Sequence, residues 1–388
     1  MINQTVLPFK LEQTKDLITA HAGLALLGEF TIGLGVLEAL DKSLPAPGSG
    51  AGYRASEHAL PLMLMLNGGG RSLEDLRQIR DDQGLREVLE LKRMPSADAT
   101  GDWLRRSGVS GGLEGLGRVN RRTLKRGLKA DGIKGYTLDI DATGIEAEKQ
   151  TAKMTYKGYT GYMPIVGHLA ENGLIVGDEF RQGNESPGAG NLEFVKYCEQ
   201  QLPCGKRIRA LRADSAAYQA SVMNHCQRHG IEFAIGADLD PAVVRAIQAI
   251  GGQEWRGYQN GHIAETVHCM NKTRQAFRLV VIRRPVQGDL FDGQPVSEKY
   301  TVIATNRTEC IEQVVKWYNQ RGRVQREPDQ GAEDRFGHGA DALRAVCGQR
   351  GVFSHRGVGL QCGPVVCAAD AGCVLASASG ADAALEAL

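Results

Sequence analysis

Three aspartates stand where carboxylates can act together. Asp139 and Asp141 lie in Leu138-Asp-Ile-Asp-Ala-Thr143, and Asp214 follows Arg207–Ala213. Asp139 and Asp141 are two residues apart in a stretch where Tyr136, Leu138 and Ile140 alternate with Thr137, Asp139 and Asp141. A strand would set both carboxylates on one face near its end. Like charges so placed repel unless a cation or an arginine stands between them. Mg²⁺ takes oxygen donors in octahedral geometry and retains several waters, so two or three Asp or Glu side chains from separate elements can hold it without His or Cys. Such a set suits phosphodiester cleavage without a covalent intermediate, in which two cations about 4 Å apart activate the nucleophile and stabilise the leaving oxygen. Taken singly, each aspartate has a plainer reading as a turn or helix cap.

The elements needed to position these acids are legible. Lys10 to Ser107 is mostly helical in pattern, with apolar residues at three-to-four spacing in Leu24–Leu40 and His58–Leu66. The breaker Pro45-Ala-Pro-Gly-Ser-Gly-Ala-Gly52 separates these stretches. Ser72-Leu-Glu-Asp75 reads as a capping box, and Ser96 as the cap of a helix carrying Trp103 and Leu104. From Gly135 the period changes to two. Strands are expected over Tyr136–Asp141, Met163–Leu169, Leu174–Phe180, Arg207–Ala213 and Glu232–Gly236, with a turn at Glu171-Asn-Gly173. Helices are expected over Leu192–Gln201, Ala216–His229 and Glu309–Arg321. Residues 251–306 are β-rich and read as an insertion. The fold class is therefore α/β, a mixed sheet preceded by an all-α region.

The 388 residues leave room for two to three domains, and the net charge of +1 gives no global argument for nucleic acid. Locally the charge is uneven. Arg121, Arg122, Lys125, Arg126 and Lys129 form one basic run, and Arg321, Arg323 and Arg326 another; a solvated helix face is the plain reading of either. The nine cysteines contain no CxxC pair and no His at zinc-finger spacing, which argues against structural zinc. No apolar stretch approaches the roughly 20 residues of a membrane span, and no secretory leader is apparent, so a cytoplasmic protein is expected.

Several motifs in order resemble the insertion-sequence transposases grouped as DDE domain group 1. They are Leu138-Asp-Ile-Asp-Ala-Thr143, Tyr156-Lys-Gly-Tyr159, Gly161-Tyr-Met-Pro-Ile-Val-Gly-His168, Leu211-Arg-Ala-Asp-Ser-Ala-Ala-Tyr218 and Trp317-Tyr-Asn-Gln-Arg-Gly322. The resemblance covers roughly residues 10 to 325. It implies a ribonuclease-H-like core over 131–325, interrupted by the β insertion, behind a helical DNA-binding or dimerisation domain over 1–130. It implies Asp141 as the first catalytic carboxylate, with Asp139 as runner-up, and Asp214 as the second, both ligands of Mg²⁺ or Mn²⁺. Tyr318 and Arg321 resemble the Tyr and Arg that contact DNA phosphates in these enzymes, with Arg323 beside them; an arginine can grip a phosphate bidentately. The partners implied are double-stranded DNA, as terminal inverted repeats and target, and a second copy of the chain.

The sequence departs from the pattern after Arg321. The position of the third acid holds Gln325, the position of a later lysine holds Ala332, and Pro328 interrupts the helix that would display them. Glu327 is a weak substitute, two positions late. Residues 326–388 contain no Lys, Ile, Asn, Thr, Tyr, Trp or Met but four cysteines, and read as a poorly folded tail. Family members continue with something close to Glu-Asn-Arg-Ile-Lys-Glu-Leu-Lys. With GC-rich codons assumed, one extra nucleotide converts this into Arg326 to Glu333 as they stand, so a frameshift near Val324 is inferred. The expectation is a transposase defective for want of its third acid. Two other readings stay open: a different metal-dependent nuclease on the same core, and a DNA-binding remnant that does not cut.

Overall fold

In a computed structural model of the chain, the described residues are 14–129, 131–147, 152–285 and 298–321. Seven helices come first: α1 (Ala22–Gly33), α2 (Val36–Ser43), α3 (Ala55–Asn67), α4 (Leu76–Asp81), α5 (Gln83–Val88), α6 (Ala97–Val109) and α7 (Gly112–Gly127). The pattern spanning Leu24–Leu40 is two helices, because Gly35 takes φ +64° and turns the chain between them. Both expected caps form. Asp75 Oδ2 accepts from the Ser72 amide at 3.0 Å, opening a short 3₁₀ turn before α4, and Ser96 Oγ accepts from the Ala99 amide at 3.1 Å at the head of α6. Leu40, Leu60, Leu62, Leu64, Leu85 and Leu104 lie in one apolar cluster within these helices.

The remaining elements are β1 (Gly135–Ala142), β2 (Ile145–Glu146), β3 (Lys153–Met154), β4 (Thr160–Tyr162), β5 (Ile165–Leu169), β6 (Ile175–Glu179), α8 (Asn191–Gln201), β7 (Arg207–Ala213), α9 (Ala220–His229), β8 (Glu232–Gly236), α10 (Pro241–Gln248), β9 (Arg256–Tyr258), β10 (Gly261–His268), β11 (Phe277–Pro285), β12 (Glu298–Thr305) and α11 (Ile311–Asn319). Nine strands form one mixed sheet in the order β6-β5-β1-β7-β8-β12-β11-β10-β9, and β2, β4 and β3 form a small second one. β1 runs antiparallel to β5 and parallel to β7, and β7 runs parallel to β8. The β-rich stretch 251–306 extends this sheet rather than standing apart: β12 pairs antiparallel with β8, and β11, β10 and β9 follow outward.

Several expected bounds shift for identifiable reasons. The strand expected from Met163 starts at Ile165, because Pro164 has no amide to donate. The helix expected from Ala216 is a 3₁₀ turn over Ser215–Ala217 followed by α9. Helix α10 was not foreseen, although Asp240 followed by Pro241 is a helix-start signal: Asp240 Oδ1 accepts from the Ala242 and Val243 amides at 2.7 and 2.9 Å.

On one face of the sheet Tyr136, Leu138 and Ile140 join Phe194 and Val195 of α8 and Val222, Met223 and Cys226 of α9 in the main core. Ideal side chains at Gly167 and Gly177 would begin 2.8 and 2.7 Å from Cys198 Sγ, so the two glycines let α8 lie close against β5 and β6. Farther along, Ile311, Val314 and Val315 of α11 bury against Ala234, Ile263, Val280, Ile282 and Ile303. Gln325, Glu327, Arg323 and the tail from 326 lie outside the described residues.

Candidate active site at the ends of two parallel strands

The register of β1 and β7 pairs Asp139 with Arg212 and Ile140 with Ala213. The next residue of each chain is Asp141 and Asp214, so the register brings both aspartates to the same end of the two strands. Paired residues in neighbouring strands share a face, so Asp139, Arg212, Asp141 and Asp214 line one side of the sheet where β1 and β7 end. The two aspartates are half-buried, while Asp139 and Arg212 are buried.

Asp139 is not available to hold a cation. Its two oxygens accept from Arg212 Nε and Nη2, both at 2.6 Å, a bidentate pair with each partner at most 3% exposed. Arg212 thus supplies the counter-charge of Asp139, the runner-up for first metal ligand. On the other side of β1, His168 Nε2 lies 3.6 Å from Asp139 Oδ2. Burial pushes the His168 pKa below its ordinary value; Asp139 opposes that shift, and the positive charges of Arg212 and Arg321 reinforce it.

Arg212 also reaches out of the sheet. Its Nη1 donates to the Trp317 carbonyl at 2.7 Å, and its guanidinium carbon lies 5.1 Å from the centroid of the Trp317 ring. The end of α11 is thereby tied to the strands that carry the aspartates. Tyr318 and Arg321 follow on that segment. An ideal Cβ on Gly236 would stand 3.0 Å from Tyr318 Oη, 3.2 Å from Ser215 N and 3.5 Å from the Asp214 carbonyl carbon. The tyrosine hydroxyl and the Asp214–Ser215 peptide therefore both crowd Gly236 at the end of β8. The Arg321 guanidinium carbon lies 5.4 Å from the Tyr318 ring centroid, and Arg321 Nη1 is buried with no hydrogen-bond acceptor among the described residues.

Asp214 retains part of its plain role: its Oδ1 accepts from the Ala216 amide at 3.1 Å and caps the 3₁₀ turn. The structure thus brings Asp141, Asp214, Tyr318 and Arg321 to one end of the sheet and holds Asp139 in an ion pair with Arg212. Sequence reasoning missed Arg212, His168 and Trp317, although all three stand inside the quoted motifs. Arg212 was open to inference, since it precedes Asp214 by two and so shares its face.

Among the described residues no group of three or more His, Cys, Asp or Glu is placed to hold a metal ion. Asp141 and Asp214 are a two-carboxylate set of the kind a water-retaining Mg²⁺ accepts, short of a third acid.

No curated protein matches the chain. A family model described as Transposase DDE domain group 1 matches residues 8–327, a span that takes in the helices, the sheet and its extension, and every residue just placed at the strand ends. The chain therefore belongs to the DDE domain group 1 transposase family.

Proposed function

We propose that this chain derives from an enzyme that cuts and rejoins DNA at the ends of an insertion sequence, with Asp141 and Asp214 as its surviving catalytic carboxylates. The observation that carries this reading is the parallel register of β1 and β7, whose last pair is Ile140 with Ala213, so that the next residue of each chain is an aspartate, Asp141 and Asp214, at the same end of the two strands. The strand order β6-β5-β1-β7-β8, with antiparallel pairing on one side of β1 and parallel pairing on the other, supports a ribonuclease-H-like core over 131–325. The helices before β1 have an apolar cluster of their own, which supports a separate DNA-binding or dimerisation unit over 1–130.

In this reading Asp141 and Asp214 hold Mg²⁺ or Mn²⁺, which when bound supplies charge stabilisation at the phosphoryl group and activates the attacking oxygen. Tyr318 places its hydroxyl at Gly236, where the Asp214–Ser215 peptide also lies, and Arg321 offers a buried guanidinium edge to a phosphate oxygen, with Arg323 next along the chain. Arg212 and Asp139 do no chemistry. Their pair keeps β1, β7 and α11 in register, so that acids and phosphate-binding groups converge.

Gln325 at the third acid position favours a defective enzyme, since a neutral amide replaces a charged oxygen donor. Glu327, beside Pro328, is a poor replacement. We infer that a frameshift near Val324 produced residues 326–388. The substrates are double-stranded DNA with terminal inverted repeats and a target duplex, engaged by a homodimer.

The test is divalent-metal-dependent cleavage of DNA carrying the element's own terminal repeats, comparing this chain with one restored to the upstream reading frame. The restored protein is expected to cut, and to lose cutting on Asp141→Asn or Asp214→Asn, while the present chain binds without cutting. Equal cutting by the present chain would refute the inferred defect. No cutting by the restored chain would count against the reading itself.

A further inference from the structure

We propose that the exposed face of α7 is a docking surface for the phosphate backbone of duplex DNA. This rests on the reading of the chain as a DNA-acting enzyme and adds a contact remote from the motifs that carry that reading.

Between positions 118 and 129 the chain has Arg118, Arg121, Arg122, Lys125, Arg126 and Lys129 and no acidic residue, in a protein whose overall charge is +1. All six are exposed, whereas Val119, Asn120, Thr123, Leu124 and Leu128 are buried, so the cations share the outward side of one helix. A face that is merely solvated ordinarily intersperses both signs. Elsewhere in this region cations stand beside carboxylates: Arg54 lies 3.7 Å from Asp41, Arg93 lies 3.7 Å from Glu57, and Arg105 lies 2.8 Å from Asp102.

Two of the α7 cations are engaged internally. Arg118 Nη2 donates to the Ser43 carbonyl at 2.7 Å, and Arg126 Nη1 donates to the Leu34 carbonyl, which ties α7 to both ends of α2. The remaining four, Arg121, Arg122, Lys125 and Lys129, have no carboxylate within ion-pair distance among the described residues. Arg121, Arg122 and Lys125 stand on a helix whose orientation is already held, and Lys129 follows in the turn after it.

The stripe spans roughly 16 Å at 1.5 Å per residue. Duplex DNA carries one charge per about 1.7 Å of axis, so a stretch of that length presents several phosphates to it. The same sign continues where α7 gives way to the sheet. Lys134 precedes β1, and Arg207 and Arg209 flank it on β7, where Gly135 pairs with Arg207; all three are exposed. Between Lys129 and Lys134 only Asp131 is acidic, and it is paired with Lys206 at 2.8 Å; the exposed cations fit a long polyanion crossing from α7 to the start of β1.

The test is fluorescence anisotropy of the full chain with a labelled duplex over a range of salt concentrations, against a variant carrying Arg121→Ala, Arg122→Ala, Lys125→Ala and Lys129→Ala. The variant is expected to bind on the order of 100-fold or more weakly near 0.1 M salt. Its slope of log K against log salt should be shallower by about three to four. Unchanged affinity and slope would overturn the proposal while leaving the enzymatic reading intact. Absence of duplex binding by the unaltered chain would overturn both. Should the variant fail to fold, acylation mapping of the unaltered chain decides. Bound duplex is expected to protect Lys125 and Lys129 while leaving the exposed Lys272 reactive. Equal reactivity with and without DNA, or protection conferred by anionic lipid vesicles and not by DNA, overturns the proposal.

Discussion

Asp139 and Asp141 sit two residues apart on one face of β1, yet they have opposite destinies. Asp139 is consumed by the buried bidentate pair with Arg212, while Asp141 lies two residues farther, half-buried at the end of the strand where β7 gives way to Asp214. The two should separate cleanly in measurement. Asp139→Asn leaves the Arg212 guanidinium buried without its counter-charge, a change that typically costs about 3–5 kcal/mol. Asp141→Asn is expected to cost less than Asp139→Asn, because Asp141 is half-buried and keeps solvent access, whereas Asp139 is buried. Urea denaturation of the two variants checks this, and a larger loss for Asp141→Asn would reverse the assignment. The motif Leu138-Asp-Ile-Asp-Ala-Thr143 made both acids visible. Choosing between them required knowing that Arg212 is the cross-strand neighbour of Asp139, a long-range fact.

At the level of elements, α3 and α6 meet through a ring stack that bears no relation to the proposed chemistry. His58 lies parallel to Trp103, with 4.9 Å between ring centroids and 7° between planes, and Tyr53 meets it edge-on. Burial, reinforced by Arg106, lowers the His58 pKa from 6.5 to about 4. The unfolded chain therefore takes up this proton first. The His58 contribution is unchanged above about pH 6.5 and declines as the pH falls toward 4, by roughly 2 kcal/mol at about pH 5. His168 is lowered as well and adds to the same acid loss. In a pH series of thermal melts, His58→Phe, which keeps a ring against Trp103, should reduce the loss without abolishing it. An unchanged acid loss would show that His58 does not titrate as described. The helices themselves were legible from caps and apolar spacing, as at Ser96 and Ser72. The small sheet of β2, β3 and β4 was not, because its strands have two or three residues, too few for a period to register.

For the whole molecule the decisive element is α7, which serves two cores. Leu116 and Val119 belong to the apolar cluster of the helices, and Leu124 and Leu128 to that of the sheet. A fragment that begins at 131 would strip Leu124 and Leu128 from the sheet, and a buried leucine is worth about 1.5–3 kcal/mol. Of two fragments carried to the same C-terminus, the one beginning at Gly112 should be more stable in urea than the one beginning at Asp131. Equal midpoints would mean that the sheet does not depend on α7. The extension β12-β11-β10-β9 shows the same economy of parts, for it gives α11 an apolar floor in Ile263, Val280, Ile282 and Ile303 and so carries Trp317 to Arg212.

The amino-acid sequence by itself determined the alternation of β1 and β7, the aspartates at their ends, the β-rich stretch over 251–306 and the apolar stripe of α11. These are local properties, set by period and by residue type within a few positions. Tertiary structure decided what depends on residues distant in the chain: that Asp139 is neutralised by Arg212, that Tyr318 Oη and the Asp214–Ser215 peptide meet at Gly236, and that the insertion continues the sheet. The physical reason is the same in each case. The free energy of a buried charge or a packed ring is set by the groups around it, and here those groups lie 73 residues away for Asp139 and Arg212 and 105 for Arg212 and Trp317.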